Sequence, residues 1–230
     1  MTTDDIDHRK QLRARLDTLE GANGGGWENR KSWFEQVYTT ADGDTNEIPW
    51  AELKPKAPLV EWLEQNEGEG RTALDVGCGL GDNANALHAA GWKTSAFDVA
   101  PTAIEWAQKR FPSGEVEFRC ADLFNPPADW IGKFDLVYEC FTLQAIGIEM
   151  RGDVVKPLKS LVAPAGTLII LGRYYDGTGE RSGPPWPLTD EEIAEYYGDD
   201  FEEAARKTFV QHKDDGRKIP HIWLELKRST

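Results

Sequence analysis

The run Leu74-Asp75-Val76-Gly77-Cys78-Gly79-Leu80-Gly81 constrains this chain more than any other stretch. A short apolar segment ends beside an acid, and three glycines then fall on alternate positions. That is the sequence form of a backbone brought close to a ligand at a strand-to-helix turn. Spacing narrows the ligand. In a dinucleotide-binding fingerprint the third glycine follows the second by three residues, which here is Asp82, whereas this chain places its third glycine at 81.

Around that turn the pattern alternates. Strand 72–76 leads through the glycine turn to a helix at about 82–90, which Gly91 ends in the left-handed conformation. Strand 93–98 follows, then a helix opened by Pro101 and running to Arg110, strand 115–120, a proline-rich loop at 125–127 and a buried-type strand, Phe134-Asp135-Leu136-Val137-Tyr138. A helix at about 151–162 and a fifth strand, Thr167 to Leu171, complete the alternation. Strands separated by helices at this regularity predict a doubly wound, mostly parallel α/β sheet with right-handed crossovers. The end differs: a helix from Thr189 to Tyr197 precedes strands near 207–212 and 221–227, joined by the turn signal Asp214-Asp215-Gly216, an antiparallel hairpin that brings the sheet to seven strands.

The N-terminal third reads differently. Residues 4–20 carry Ile6, Leu12, Leu16 and Leu19 at roughly helical spacing, and the glycines between Gly21 and Gly26 break that helix. Trp27 to Trp50 then holds three of the nine tryptophans together with Phe34 and Tyr38, more aromatic surface than a solvated arm carries, so this segment should fold over something. A further helix is expected from Pro58 to Gln65, and Glu67-Gly68-Glu69-Gly70 leads into the first strand. We expect residues 1–66 to form a helical, aromatic extension and residues 67–230 a ligand-binding α/β domain, together one structural unit.

Composition excludes whole classes of partner. Forty acids against 26 bases give a net charge of −14, which repels a phosphate backbone and argues against a nucleic-acid substrate. Cys78, Cys120 and Cys140 are the only cysteines; with no C-x-x-C pair among them, and the four histidines scattered, neither a disulfide framework nor a metal site is indicated. No stretch approaches the length of a membrane span, and the polar N-terminus lacks a signal-like apolar core; a cytoplasmic location, with no membrane partner, is the expectation. Oligomeric state is left open.

An acid two residues ahead of Gly-x-Gly-x-Gly, in this strand context, resembles the class I S-adenosylmethionine-dependent methyltransferases. In an open α/β sheet the ligand lies at the carboxyl ends of the strands near the reversal of strand order. Suitable groups stand there. The turn of Gly77, Cys78, Gly79 and Gly81 lets the backbone approach, and the helix N-terminus behind it offers N–H groups to a carboxylate. Asp75 either orders this turn or faces the cofactor. Asp98, with Val99 beside it, is placed to accept both ribose hydroxyls or to cap a turn. The resemblance implies that Asp122 and the Leu123 backbone read the adenine amino group, and Glu139 is placed to face the methionine amino group or the sulfonium. Cys140 reads as packing, since methyl transfer needs no covalent intermediate.

Four further stretches resemble the thiopurine, thiol and halide methyltransferase branch: Trp33-Phe34-Glu35 with Tyr38, Pro49-Trp50 and Pro58-Leu59-Val60; Glu139 to Ile146; Glu149-Met150-Arg151; and Gly183-Pro184-Pro185-Trp186 ahead of Thr189-Asp190-Glu191-Glu192. With the glycine turn they span residues 27 to 195. The resemblance implies that the N-terminal segment is a lid in which Trp33 and Trp50 cover the cofactor; the alternative is that these tryptophans only cap the edge of the sheet. Two features depart from the branch: a longer connection between Tyr38 and Pro49 than in halide and thiol enzymes, and Cys140 where thiopurine enzymes carry arginine. The expected reaction is in-line methyl transfer to a small-molecule acceptor, a thiol or another sulfur nucleophile. Oxygen or nitrogen acceptors, or cofactor binding without catalysis, remain alternatives. Tyr38, Arg173 and Tyr174 are candidate catalytic residues, with Tyr175 and His221 as further acceptor-side candidates; His221 opens a strand and reads rather as structural, and Arg173 follows the fifth strand directly and either orients an anionic acceptor or pairs with a surface acid.

Overall fold

Alternation of side chains along four central strands builds two cores, one on each face of a single sheet. In the computed structural model, which describes residues 11–22, 26–196, 198, 200–213 and 216–230, the strands are β1 (Thr72–Val76), β2 (Lys93–Asp98), β3 (Glu117–Cys120), β4 (Phe134–Cys140), β5 (Val162–Arg173), β6 (Phe201–His212) and β7 (Lys218–Arg228). Their order is β3-β2-β1-β4-β5-β7-β6. The first five run parallel, and β7 is antiparallel to both β5 and β6. This is the expected seven-stranded α/β sheet with an antiparallel C-terminal hairpin.

Helices pack around it: α1 (Trp27–Ala41), α2 (Ala57–Leu63), α3 (Asp82–Ala89), α4 (Pro101–Arg110), α5 (Arg151–Leu161) and the short α6 (Asp190–Ala194). On one face Leu74, Val76, Val137, Leu168, Ile170 and Leu224 meet Val154 and Leu158 of α5 and Ile193 of α6. On the other, Ala73, Leu136, Tyr138, Ile169, Leu171 and Trp223 meet Leu59 and Leu63 of α2 and Leu87 of α3. Successive residues of one strand therefore serve opposite cores, which is why these strands read as continuous apolar runs. Local chemistry sets the helix ends: Pro101 occupies the first turn of α4, Gly91 follows α3 at φ 85°, and Thr189 with Glu192 forms a capping box on α6.

The aromatic N-terminal segment folds over the tips of β1 and β2. Leu12 and Leu16, in a helical stretch at 11–16, join Trp33, Val37, Tyr38 and Ile48 in a cluster that closes on Leu80, Ala100 and Ala103. The expected helix at 4–20 is described only from residue 11, and its residues 17–22 form turns. The expected hairpin turn at 214–215, and Tyr197 at the end of the expected 189–197 helix, lie outside the described residues.

Several boundaries differ from the sequence expectation. Strand β3 starts at Glu117, the helix expected at 58–65 spans Ala57–Leu63, and α6 ends at Ala194. β5 begins five residues early, at Val162, because its first part, Val162-Ala163-Pro164-Ala165-Gly166, lacks any strand-like alternation. β6 extends back to Phe201: most of its residues are solvent-exposed on this edge strand, so no buried face marks it, and pairing with β7 holds it in place.

Candidate active site

The strand order reverses beside β1, which pairs with both β2 and β4, and a cleft of about 1230 Å³ opens beyond the carboxyl ends of these strands. Gly77, Gly79 and Gly81 all take positive φ, at 65°, 52° and 84°. The three are not equivalent. A Cβ on Gly77 would lie 2.2 Å from Thr142 Oγ1, and one on Gly81 2.8 Å from Phe118 Cζ, so these two serve packing of the protein on itself. At Gly79 the sole neighbour within 4 Å is the Tyr38 hydroxyl at 3.3 Å, which makes Gly79 the position where bare backbone faces the cleft.

Asp98 stands over this turn. Its Oδ2 accepts from the Gly79 N–H at 2.9 Å and its Oδ1 from the Ala100 N–H at 3.0 Å. It thus orders the glycine turn and caps the approach to α4, and it lines the cleft together with Val99 and Leu123. Asp75 lies beneath the turn, 1 % exposed, with Oδ2 lacking any hydrogen-bond partner; burial holds its carboxyl well above the usual range. Glu139 at the tip of β4 is fully buried. Its Oε1 accepts from the Leu143 N–H at 2.9 Å while Oε2 has no partner, and burial raises its pKa to about 7 against the opposing pull of the Leu143 and Thr142 N–H groups and Arg151.

Four of the expected site residues are directed elsewhere. Asp122 takes hydrogen bonds from Trp27 Nε1 at 2.8 and 2.9 Å and from Lys31 Nζ at 3.2 Å, so its carboxylate holds α1 in place, while its neighbour Leu123 reaches the cleft wall. Glu139 and Asp75 lie behind that wall, not on it. Tyr174 donates to Asp190 Oδ2 at 2.8 Å and also stands outside the cleft, because each step along β5 reverses the side chain and Arg173 has taken the inward position.

The roof comes from the N-terminal segment. Tyr38 Oη, buried and pushed far up in pKa by that burial, accepts from Trp50 Nε1 at 2.9 Å, and the two rings meet edge to face. Trp33 packs against Trp50 at 5.8 Å, and its own Nε1 donates to Leu16 O. Arg30, invisible as a site residue in the sequence, ties this roof down: Nε donates to Ala145 O at 2.9 Å, Nη1 to Gly21 O and Ala22 O, and the guanidinium lies over Trp33 at 4.2 Å and Phe34 at 4.7 Å. The spacing of Trp27, Arg30, Phe34 and Tyr38 on one helical face was the available signal.

Beyond the turn the cleft becomes cationic. Arg173, at the end of β5, is half-buried, and its guanidinium makes one long hydrogen bond, to Pro185 O at 3.4 Å. No carboxylate among the described residues lies within ion-pair distance, and burial with the charges of Arg13 and Arg217 lowers its pKa to about 10. Gln144 clamps its backbone, accepting from the Arg173 N–H and donating to the Arg173 carbonyl, both at 2.6 Å. Lys56, Lys213 and His221 line the same region. Cys140 is there too, its thiol driven well up by burial, which leaves it inert as a nucleophile.

Comparison with known proteins matches this geometry to a family. The sequence model of the thiopurine S-methyltransferase family matches residues 43–224. A probable thiol methyltransferase 2 of Arabidopsis thaliana is 29 % identical over 178 residues, covering 75 % of this chain and 70 % of the relative. A 2-heptyl-1-hydroxyquinolin-4(1H)-one methyltransferase of Mycobacteroides abscessus is 25 % identical over 213 residues, covering 82 % of this chain and 92 % of the relative. In fold, the chain is similar to the N-methyltransferase NodS of Bradyrhizobium japonicum, solved with S-adenosyl-L-homocysteine: TM-score 0.64 and 15 % identity, covering 85 % of this chain and all of that one. Together with the glycine turn and the cleft above it, the match over residues 43–224 shows that the chain belongs to the thiopurine S-methyltransferase family and is an enzyme dependent on S-adenosylmethionine.

Proposed function

We propose that the protein methylates a small, weakly acidic acceptor that reacts as its anion, with sulfur as the acceptor atom and a hydroxylated heteroaromatic as the second reading. The observation that carries this is Arg173: a half-buried guanidinium with no carboxylate partner among the described residues, opening into the same cleft as Gly79 in a chain whose net charge is −14. A half-buried guanidinium facing such a cleft is suited to an anionic ligand. The oxygen reading is favoured by the hydroxyquinolone-directed relative, the sulfur reading by the thiol-directed one.

The cofactor half of the cleft suits its group. Gly79 exposes backbone that a side chain would cover, Asp98 offers a carboxylate to hydroxyl groups, and Val99 and Leu123 supply apolar walls. Trp33, Tyr38 and Trp50 act as a lid. When bound there, S-adenosylmethionine supplies a sulfonium-activated methyl group. The chain's own contribution is placement and exclusion: the aromatic faces of Trp33, Tyr38 and Trp50 favour a cation, and as a lid they keep water from competing with the acceptor. A thiolate held in line at about 3 Å from the methyl carbon needs little further help.

Incubating the purified protein with S-adenosylmethionine and separate thiophenol, 1-hydroxyquinolin-4(1H)-one and benzylamine, while following S-adenosylhomocysteine, tests the reading. Turnover of the first two, with the thiol faster, is expected. Turnover of the amine alone would refute it.

A further inference from the structure

We propose that His221 is the general base of the transfer, its Nε2 taking the proton of the acceptor's S–H or O–H group while Arg173, its cross-strand partner, holds the negative charge that develops. This deepens the reading of the acceptor half given above and rests on it. His221 opens the inner part of β7 directly opposite Arg173 of β5, is 4 % exposed, and lines the cleft.

The ring is held in one orientation and one tautomer. Its Nδ1 lies 2.8 Å from the Ile219 carbonyl oxygen. A carbonyl only accepts, so Nδ1 carries the proton and Nε2 keeps the lone pair. Nε2 has no hydrogen-bond partner among the described residues and is not sealed away among the orphaned buried atoms, which leaves it to the cleft. Phe209 stacks on the ring at 5.4 Å and Phe141 meets it edge-on at 5.7 Å. Phe141 follows β4 immediately and precedes Thr142, the residue packed on Gly77, so one short segment joins His221 to the cofactor half.

Its surroundings keep the imidazole neutral. The charges bearing on it are Arg173 from β5, Lys213 from the β6–β7 connection and Lys56 from the segment before α2, the last ion-paired with Glu52. All three disfavour a second proton, and burial acts in the same sense, so the pKa lies below its ordinary 6.5. Those same cations stabilise an acceptor anion. Tyr38, Cys140 and the lysines of this region are poor proton acceptors, since Tyr38 is a protonated phenol already engaged with Trp50, Cys140 is a protonated thiol, and the lysines are cationic, while Glu52 is ion-paired with Lys56 and Glu225 accepts from Trp223.

The step balances without an outside reagent. The acceptor X–H bond breaks and its proton passes to His221 Nε2; the X lone pair forms the new X–CH3 bond as the methyl–sulfonium bond breaks, and that electron pair stays on sulfur. The imidazolium then gives its proton to water.

Two measurements test this. H221N, which retains a donor toward Ile219, and H221Q should lower kcat for 4-methylphenol by about 10²- to 10⁴-fold. Their loss on 4-nitrothiophenol, already ionised at pH 7.5, should be at least about tenfold smaller, and the acid limb of the wild-type kcat/KM profile should vanish. Equal losses on both acceptors with that limb retained would overturn the role. Independently of turnover, ¹⁵N-histidine NMR of the cofactor-free protein should show His221 neutral at pH 7 in the Nδ1–H tautomer; an imidazolium or the Nε2–H tautomer would overturn it. Failure of the wild-type enzyme on every acceptor would refute the acceptor reading and the base role with it, whereas turnover of both acceptors with equal losses in the variants would overturn the base role alone.

Discussion

Replacing Glu139 with glutamine should stabilise the cofactor-free protein at neutral and alkaline pH and do nothing below about pH 4.5. The carboxyl is fully buried, accepts one backbone hydrogen bond at Oε1 and leaves Oε2 unpartnered, with a pKa raised from 4.5 to about 7. Because the folded value lies above the unfolded one, the group's contribution is complete below about pH 4.5. It is lost as the pH rises through 7, where ionisation costs burial energy in the folded chain only. At about 1.36 kcal/mol per pH unit this interval is worth about 3 kcal/mol. Glutamine keeps the oxygen that accepts from Leu143 and has no charge to lose. Urea unfolding of both proteins at pH 5, 6, 7 and 8 measures the difference directly, and Asp75, whose carboxyl is raised for the same reason, is present in both. We expect the gain of the variant to grow from near zero at pH 4.5 to about 3 kcal/mol at pH 8. A constant difference across that range, or a variant less stable at pH 8, would show that Glu139 titrates as an ordinary carboxylate in the folded protein.

Three other perturbations address the cleft. Gly79→Val sets a branched side chain at φ 52°, with its Cβ 3.3 Å from Tyr38 Oη, and should lower affinity for S-adenosylhomocysteine more than about tenfold in a folded protein; unchanged calorimetric affinity would remove Gly79 from the site. Asp98→Ala strands the Gly79 and Ala100 N–H groups and should weaken cofactor binding by roughly 2 kcal/mol, whereas binding unaltered in the presence of lowered stability would reduce Asp98 to a turn cap. Arg173→Met should raise KM for a thiolate acceptor by about 10- to 100-fold, the range of a lost charge-assisted hydrogen bond, and shift cofactor affinity much less; an unchanged KM would place the acceptor elsewhere.

Most of the sheet was legible because its determinants are local. Three glycines at alternate positions forecast a strand-to-helix turn, the apolar runs of β1, β4 and the later part of β5 forecast strands, and Pro101 and Gly91 marked helix ends. Each follows from what one residue permits its own backbone to do. The first half of β6, Phe201 to Arg206, and the start of β5 escaped notice because their conformation comes from a neighbouring strand.

Which way each charge faces was settled only by folding. The chain positions of Asp98, Asp122 and Glu139 after successive strands are evident in one dimension, yet Asp98 turns to the glycine loop, Asp122 is engaged by Trp27 from 95 residues away, and Glu139 is sealed behind the wall. The same holds for Arg173, which has no acid partner among the described residues, and for the Gln144 and Arg30 contacts that brace the cleft. A backbone preference is carried by the residue that has it. The partner of a buried charge or hydrogen-bond group is chosen by proximity in space and by the exclusion of water, and neither exists until distant segments have packed.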